Sequence, residues 1–343
     1  MAVAKVVTPA AVRADRVVRQ HFSGRARQVE NSTYPMWRAQ FPGPSLPAVC
    51  AEHRPDVVVA SIVSPPAWRS MHRYLTGAGI ASVLYLRDEG AARQIRRWAH
   101  PDLVLANAHS LAALADSAGV SAVVIPSVVE LDRCRVESTR QRVLFVNPIG
   151  RRGVGVVVAL AHARPSIPFV IHETTPLHSA DRGRLRAMVG SLPNVELRHP
   201  VADPRALYWD ARILLAPYQL SNRPRVVLEA QSNAIPVLAA DVPGLRECVA
   251  PGSRMVSPAA PIDDWVEALD ELWDDPARYA GAAAAALQHS RRPEVQPPAI
   301  VDRFEAAMEA LLAGRRRRLG GSRPPTMSPA ENSSAETRAS WGG

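Results

Sequence analysis

Residues 221 to 247, SNRPRVVLEAQSNAIPVLAADVPGLRE, combine the residue types needed to hold a phosphorylated ligand. Pro224 suits the first turn of a helix, where its missing N–H costs nothing and its φ is already helical. Val226, Val227, Leu228 and Ala230 carry that helix forward around Glu229, and Asn233 supplies a stop. The proline-led apolar run Ile235–Ala239 then reads as a buried parallel strand. Unpaired N–H groups of a first helical turn, reinforced by the macrodipole, attract phosphate without a metal. Glu229, a turn further in, is placed to accept both hydrogen bonds of a ribose diol, so the stretch points to a bound nucleotide-sugar. A plain strand–helix–strand unit with one half-exposed glutamate fits the same pattern.

A second loop, NPIGRRG from Asn147 to Gly153, also follows a strand and precedes a helix. Its glycines permit close backbone approach, and Arg151 or Arg152 can grip a diphosphate. Arginines are common in such loops, so the loop alone leaves a solvated surface turn equally open. Asp88, in YLRDEG, ends a strand and so points to the cleft side of a sheet, where it is either a site residue or the N-cap of the next helix. His172 and His178 in HETTPLH have the wrong spacing and an intervening Pro176 for zinc chemistry of the HExxH kind. Glu247 follows Pro243-Gly244 and could cap a helix start. The chain shows neither a Ser/His/Asp nucleophile set nor GxGxxG.

Composition narrows the classes. With 343 residues, 47% of them hydrophobic, the chain is long enough for two domains with ample cores. Aromatics are only 5%, so the cores are built from Ala, Val and Leu. The net charge is +9, Lys5 is the lone lysine, and residues 314–343 hold six arginines against Glu331 and Glu336. The remaining excess suits anionic phosphates or an acidic membrane surface as well as nucleic acid. Cys50, Cys134 and Cys248 stand far apart in no metal-binding spacing, which implies neither a disulfide framework nor a zinc site and fits a reducing cytoplasm. No apolar run approaches the ~18 residues of a membrane span, and the first residues lack an apolar signal core. The expectation is a cytoplasmic protein in at most peripheral contact with an anionic membrane.

These loops need elements to hold them, and strands alternating with helices supply the elements. From residue 56 the pattern predicts strands at Asp56–Val63, Ala81–Leu86, Asp102–Ala106 and Ala122–Ile125. Helices are predicted at Trp68–Gly79, Ala91–Trp98 and from a Ser110 cap to Gly119. Residues 126–141 read as a linker. Strands at Arg142–Val146, Pro168–His172, Val195–Arg198 and Ile213–Ala216 follow, with helices at Gly155–Ala163, Arg182–Gly190 and Asp203–Trp209. The end is helical at Ile262–Trp273, Pro276–His289 and Pro298–Ala313. This order predicts an α/β protein of two Rossmann-like, doubly wound parallel sheets facing a cleft. The domains are 1–135, with 1–50 broken by prolines and hard to assign, and 136–313. A disordered basic tail is expected over 314–343.

LFVNPIGRRGVGVVVALA, LPNVELRHPVADPRALYWDARILLAPYQ and SNRPRVVLEAQSNAIPVLAADVPGLRECV resemble the donor-binding half of glycosyltransferase family 4, the group 1 transferases of GT-B fold. RPDVVVASI and DLVLANAHSLAALADSAGVSAVVIPSVVE are similar to the later part of the acceptor half, so the likeness spans roughly residues 54–313. The resemblance implies transfer of a sugar from a nucleotide-sugar to an acceptor hydroxyl with retained configuration, with neither metal nor other cofactor. The family's basic-residue-plus-glycine loop falls on Arg152-Gly153, which would neutralise the leaving diphosphate, joined in that by Arg225. The second Glu of its E-x7-E motif, the ribose ligand, falls on Glu229. The first Glu falls on Ser221, its Phe-Gly reads Arg223-Pro224, and its Gly-Arg reads Asn147-Pro148. Asp88 lies near where the family often places a His or Asp, and Glu247 matches a Glu common in the family.

The implied catalytic set is Asp88, Arg152 and Ser221, and the implied donor-binding set is Gly153, Asn222, Arg223, Arg225 and Glu229. A serine hydroxyl hydrogen-bonds a sugar but cannot stabilise an oxocarbenium-like charge. Losing one charged hydrogen bond is worth roughly 1.5–3 kcal/mol, a ten- to hundredfold effect, unless Asn222 or Gln219 takes over. Three readings follow: an active transferase, a degenerate GT-B protein that binds nucleotide-sugar or serves as a scaffold, and a binder of anionic surfaces through RQIRRW and Arg315–Arg318. The third is weakest, and nucleic acid is not expected, because those basic runs lack interleaved aromatics.

Overall fold

The computed structural model describes residues 5–7, 27–28, 36–38, 42–148, 152–219 and 222–320. Strands β1 (Lys5–Val7), β2 (Arg27–Gln28) and β3 (Met36–Arg38) form a small sheet in which β3 lies parallel to β1 and antiparallel to β2. Helix α1 (Pro42–His53) follows, where the prolines had suggested only breaks. Pro42 and Pro44 fall in its first turn, where a proline N–H is not missed, and only Pro47 forfeits an internal bond.

The first lobe is a parallel sheet of β4 (Val57–Ser61), β5 (Ala81–Leu86), β6 (Leu103–Ala106) and β7 (Val123–Val124), hydrogen-bonded in that order. Helices α2 (Pro65–Gly77), α3 (Glu89–Arg93) and α4 (His109–Ser117) connect them. The single helix predicted over 91–98 is instead α3 and a separate 3-10 turn, Ile95–Arg97. That tighter turn eclipses positions three apart, and Ile95 and Trp98 are both buried. The predicted Ser110 cap is also corrected: α4 starts after Ala108, which offers no side-chain bond.

Residues 126–141 are less of a free linker than their composition suggests. They contain α5 (Leu131–Cys134), and Arg140 donates to the carbonyls of Ala234 and Asn233, each at 2.8 Å. Asn233 in turn accepts from the Val136 N–H at 2.7 Å, so this stretch is laced to the second lobe.

The second lobe is a six-stranded parallel sheet. Its strands are β8 (Arg142–Val146), β9 (Phe169–His172), β10 (Val195–Arg198), β11 (Ala211–Ala216), β12 (Val237–Ala240) and β13 (Arg254–Val256), in spatial order β10-β9-β8-β11-β12-β13. Helices α6 (Val154–Ala163), α7 (Ser179–Val189), α8 (Arg225–Ser232), α9 (Pro243–Arg246), α10 (Ile262–Trp273) and α11 (Pro276–Ser290) surround it. Val143, Leu144, Phe145, Ile213, Leu214 and Leu238 are fully buried, as a two-face-covered parallel sheet requires. The order reverses between β8 and β11. At such a switch point the loops leaving the two strands part to opposite faces and open a crevice at the carboxyl edge.

The last helix, α12 (Pro297–Gly320), runs past Gly314, where composition had ended it. It also returns to the first lobe: Ile300, Met308 and Leu311 pack against Ala81, Val83, Leu105 and Ile125. Arg315 then pairs with Asp102 at 2.7 Å and donates to the Gly79 carbonyl at 3.1 Å. Residues 314–320 are therefore ordered helix, and the expectation for 321–343 lies outside the described residues. Among the described residues no helix is long and apolar enough to cross a membrane.

Candidate functional site

The two loops singled out from sequence leave β8 and β11, the strands at the switch point. The first leaves β8 at Asn147, which sits in the left-handed region at φ 60°. Asparagine is among the few non-glycine residues that tolerate this conformation. The Asn147 Oδ1 accepts from both the backbone N–H and the hydroxyl of Thr174, tying the loop to the segment after β9. Gly153 closes the loop as the N-cap of α6 at φ 80°.

The two loops touch at Gly153. A Cβ there would stand 2.3 Å from the Pro217 carbonyl oxygen, at the start of the segment after β11. The adjacent Arg152 guanidinium lies 4.9 Å above the Tyr218 ring. Tyr218 is fully buried and donates to the Val146 carbonyl at 3.3 Å. Burial pushes its phenol up to about 12, while Arg152 pulls it down and Glu229 raises it further. Both charges therefore act on one hydroxyl, which places Arg152 and Glu229 in the same neighbourhood. Among the described residues Arg152 has no carboxylate partner, so its charge is available to an anion.

Glu229 sits in α8, one turn beyond its start. Its Oε2 accepts from the Tyr208 hydroxyl at 2.6 Å. Tyr208 is fully buried, and burial followed by the Glu229 charge raises its phenol well above the ordinary value. The bond orients the carboxylate and leaves Oε1 without a protein partner among the described residues. Pro224 proves to be the N-cap of α8 and not its first helical residue, with ψ 128°.

The remaining predicted residues divide. Ser221 lies outside the described residues. Asn222 donates from Nδ2 to the Arg87 carbonyl at 3.4 Å, a bond between the lobes, and its Oδ1 is buried with no partner. Arg225 lines two adjoining cavities, and Arg223 the smaller of them, that none of Arg152, Gly153 and Glu229 lines, so the donor-binding role expected of both is not where the structure places them. Asp88 is exposed and caps α3, accepting the Ala91 N–H at 2.8 Å, so its carboxylate is engaged in the local role that sequence left open. Glu247 stands at the C-terminal end of α9 and caps a helix of the other lobe. Sequence reasoning missed Tyr208 and Tyr218. Their signal was the rarity of aromatics and their position on either side of the strand in YWDARILLAPYQ.

Comparisons with known proteins bear on the family and the fold. Residues 175–275 match the family model Glycosyl transferases group 1. A D-inositol 3-phosphate glycosyltransferase from Thermobispora bispora is 34% identical over 111 residues, 32% of this chain and 26% of that protein. One from an Arthrobacter species is 26% identical over 200 residues, 54% of this chain and 48% of that protein. The chain thus aligns with no more than about half the length of these curated relatives. Among solved structures, sucrose-phosphate synthase from Thermosynechococcus elongatus superposes with a TM-score of 0.70 at 15% identity, over 84% of this chain and 86% of that one. Anabaena HepE in complex with UDP-glucose gives 0.62 at 15% identity over 81% of each chain. By sequence, residues 175–275 are similar to the group 1 glycosyltransferases, and the two lobes together share the GT-B fold of these solved structures.

Proposed function

We propose that the protein transfers a sugar from a nucleotide-sugar to an acceptor hydroxyl with retention at the anomeric carbon. The observation that carries this reading is the meeting of Gly153 and Pro217, which sets Arg152 over Tyr218 within the electrostatic reach of Glu229. Glu229 would accept the ribose diol through the oxygen that Tyr208 leaves open. Arg152 would neutralise the β-phosphate as the bond from the anomeric carbon to the phosphate oxygen breaks. The acceptor oxygen bonds to that carbon on the same face, and its proton passes to the departing phosphate. No separate general base or metal is needed in this scheme. HepE, which shares the fold, is described in complex with UDP and with UDP-glucose, which makes a uridine diphosphate sugar the first donor to test.

Serine at 221 favours a second reading, a fold that retains nucleotide-sugar affinity without turnover. One experiment separates the two. A binding nucleotide should stabilise the protein by about 2.7 kcal/mol at a hundred times its Kd. Release of the free nucleoside diphosphate from its sugar conjugate then marks turnover. Arg152→Gln and Glu229→Gln should each reduce the stabilisation at fixed ligand concentration. Absence of any nucleotide-dependent stabilisation across uridine, guanosine and adenosine diphosphates would sink both readings.

A further inference from the structure

Where the lobes join lies a cavity of about 350 Å³. Tyr85 and Arg87 reach it from the end of β5, Ser127 from the connection between lobes, Arg225 from the first turn of α8, and Val301 and Phe304 from α12. Its size is that of a small-molecule site. The lining holds two guanidinium groups and no carboxylate. Among the described residues neither Arg87 nor Arg225 has an acidic partner, and the Arg87 Nε is buried with no hydrogen bond. Arg223 stands close by: it and Arg87 both draw down a Tyr85 phenol that burial raises. Buried polar atoms of an arginine left unpaired are costly unless something anionic fills the space.

We propose that this hinge cavity is a second ligand site, taking a small phosphate monoester with an apolar body. The phosphate would be gripped by Arg87 and Arg225, in the bidentate manner guanidinium favours. The body would rest on Phe304, Val301 and the apolar residues beside them. The Tyr85 hydroxyl already donates to the Ile125 carbonyl at 2.7 Å, so it shapes the wall rather than binding the anion. Because the lining comes from both lobes and from the returning last helix, an occupant would hold the three together. The inference is independent of the donor crevice, whose residues Arg152, Gly153 and Glu229 are not in the lining.

The test is titration calorimetry of the full chain with phenyl phosphate, against inorganic phosphate and benzyl alcohol as probes of the charge and the ring alone. Phenyl phosphate should bind saturably and at least tenfold more tightly than either. Arg87→Gln should weaken it at least tenfold while UDP affinity stays within twofold. Val301→Glu, at a position 42% exposed and therefore safe for folding, should do the same by placing a carboxylate at the rim. Failure of the wild type to bind phenyl phosphate, equal binding by the Val301→Glu variant, or one-for-one displacement by UDP would overturn the proposal. Phenyl phosphate binding in a protein that ignores UDP would support it and remove the donor reading instead.

Discussion

The Glu247 carboxylate accepts the backbone N–H of His109 at 2.7 Å through one oxygen and that of Ser110 at 2.6 Å through the other. Glu247 belongs to the second lobe and α4 to the first, so a side chain of one half caps a helix of the other. The first N–H groups of a helix have no internal partner, and a carboxylate there also meets the positive end of the macrodipole. Local cap and lobe contact are thus the same pair of bonds. Glu247→Ala should cost about 0.5–2 kcal/mol, the usual worth of a cap, and should enlarge the radius of gyration in small-angle scattering. Unchanged scattering and an unchanged unfolding midpoint would show that the bonds do not hold the lobes.

Gly153 and Gly155 stand two residues apart and should respond in opposite directions to alanine. At 153 the added Cβ meets backbone that cannot swing aside, and φ is 80°. Gly153→Ala should therefore destabilise by more than about 1 kcal/mol and abolish nucleotide binding. At 155, inside α6, nothing lies within 4 Å of the new methyl. Gly155→Ala should stabilise by about 0.5–1 kcal/mol and leave binding intact. Urea titration of the pair checks both signs.

Tyr208→Phe removes the donor that holds Glu229 and nothing else of comparable size. A hydrogen bond to a charged group is worth about 1.5–3 kcal/mol. The variant should lose nucleotide affinity by tenfold or more and keep most of its thermal stability, because the ring still fills its buried site. An affinity equal to wild type would mean that Glu229 needs no orienting partner.

His289 predicts a pH dependence. Burial, with Arg292 beside it, lowers its pKa from 6.5 to about 4, and Arg223 pulls in the same direction while Glu294 opposes. The unfolded chain therefore takes up a proton near pH 6.5 that the folded chain refuses until about pH 4. Stability from this residue is intact above pH 6.5 and falls as the pH drops through that window. His289→Gln should flatten the difference in unfolding midpoint between pH 7 and pH 4.5. Parallel curves for wild type and variant would contradict the assignment.

Much of this architecture is written in local pattern. β5, β8, β10 and α10 begin and end where the sequence pattern predicts, because each is bounded by polar or turn-forming residues. The loop that carries Arg152-Gly153 and the helix that carries Glu229 were legible because a strand-to-helix loop and a helix start announce themselves locally. What escaped depends on distant partners. α1 was hidden by prolines harmless in a first turn, and β13 is a three-residue edge strand with little pattern to show. Ser110 looked like a cap because its true replacement, Glu247, lies 137 positions away. The hinge cavity needs β5, the connection between lobes, α8 and α12 at once, and no window of sequence contains them.

The return of α12 to the first sheet sets an order on biosynthesis. Ala81, Val83 and Leu105 emerge from the ribosome early, yet the residues that shield them, Ile300, Met308 and Leu311, come some two hundred positions later. The amino-terminal half must wait with one face of its sheet wet while the whole second half is made. Nascent chains arrested before residue 297 should consequently recruit holding chaperones that release once the missing helix arrives.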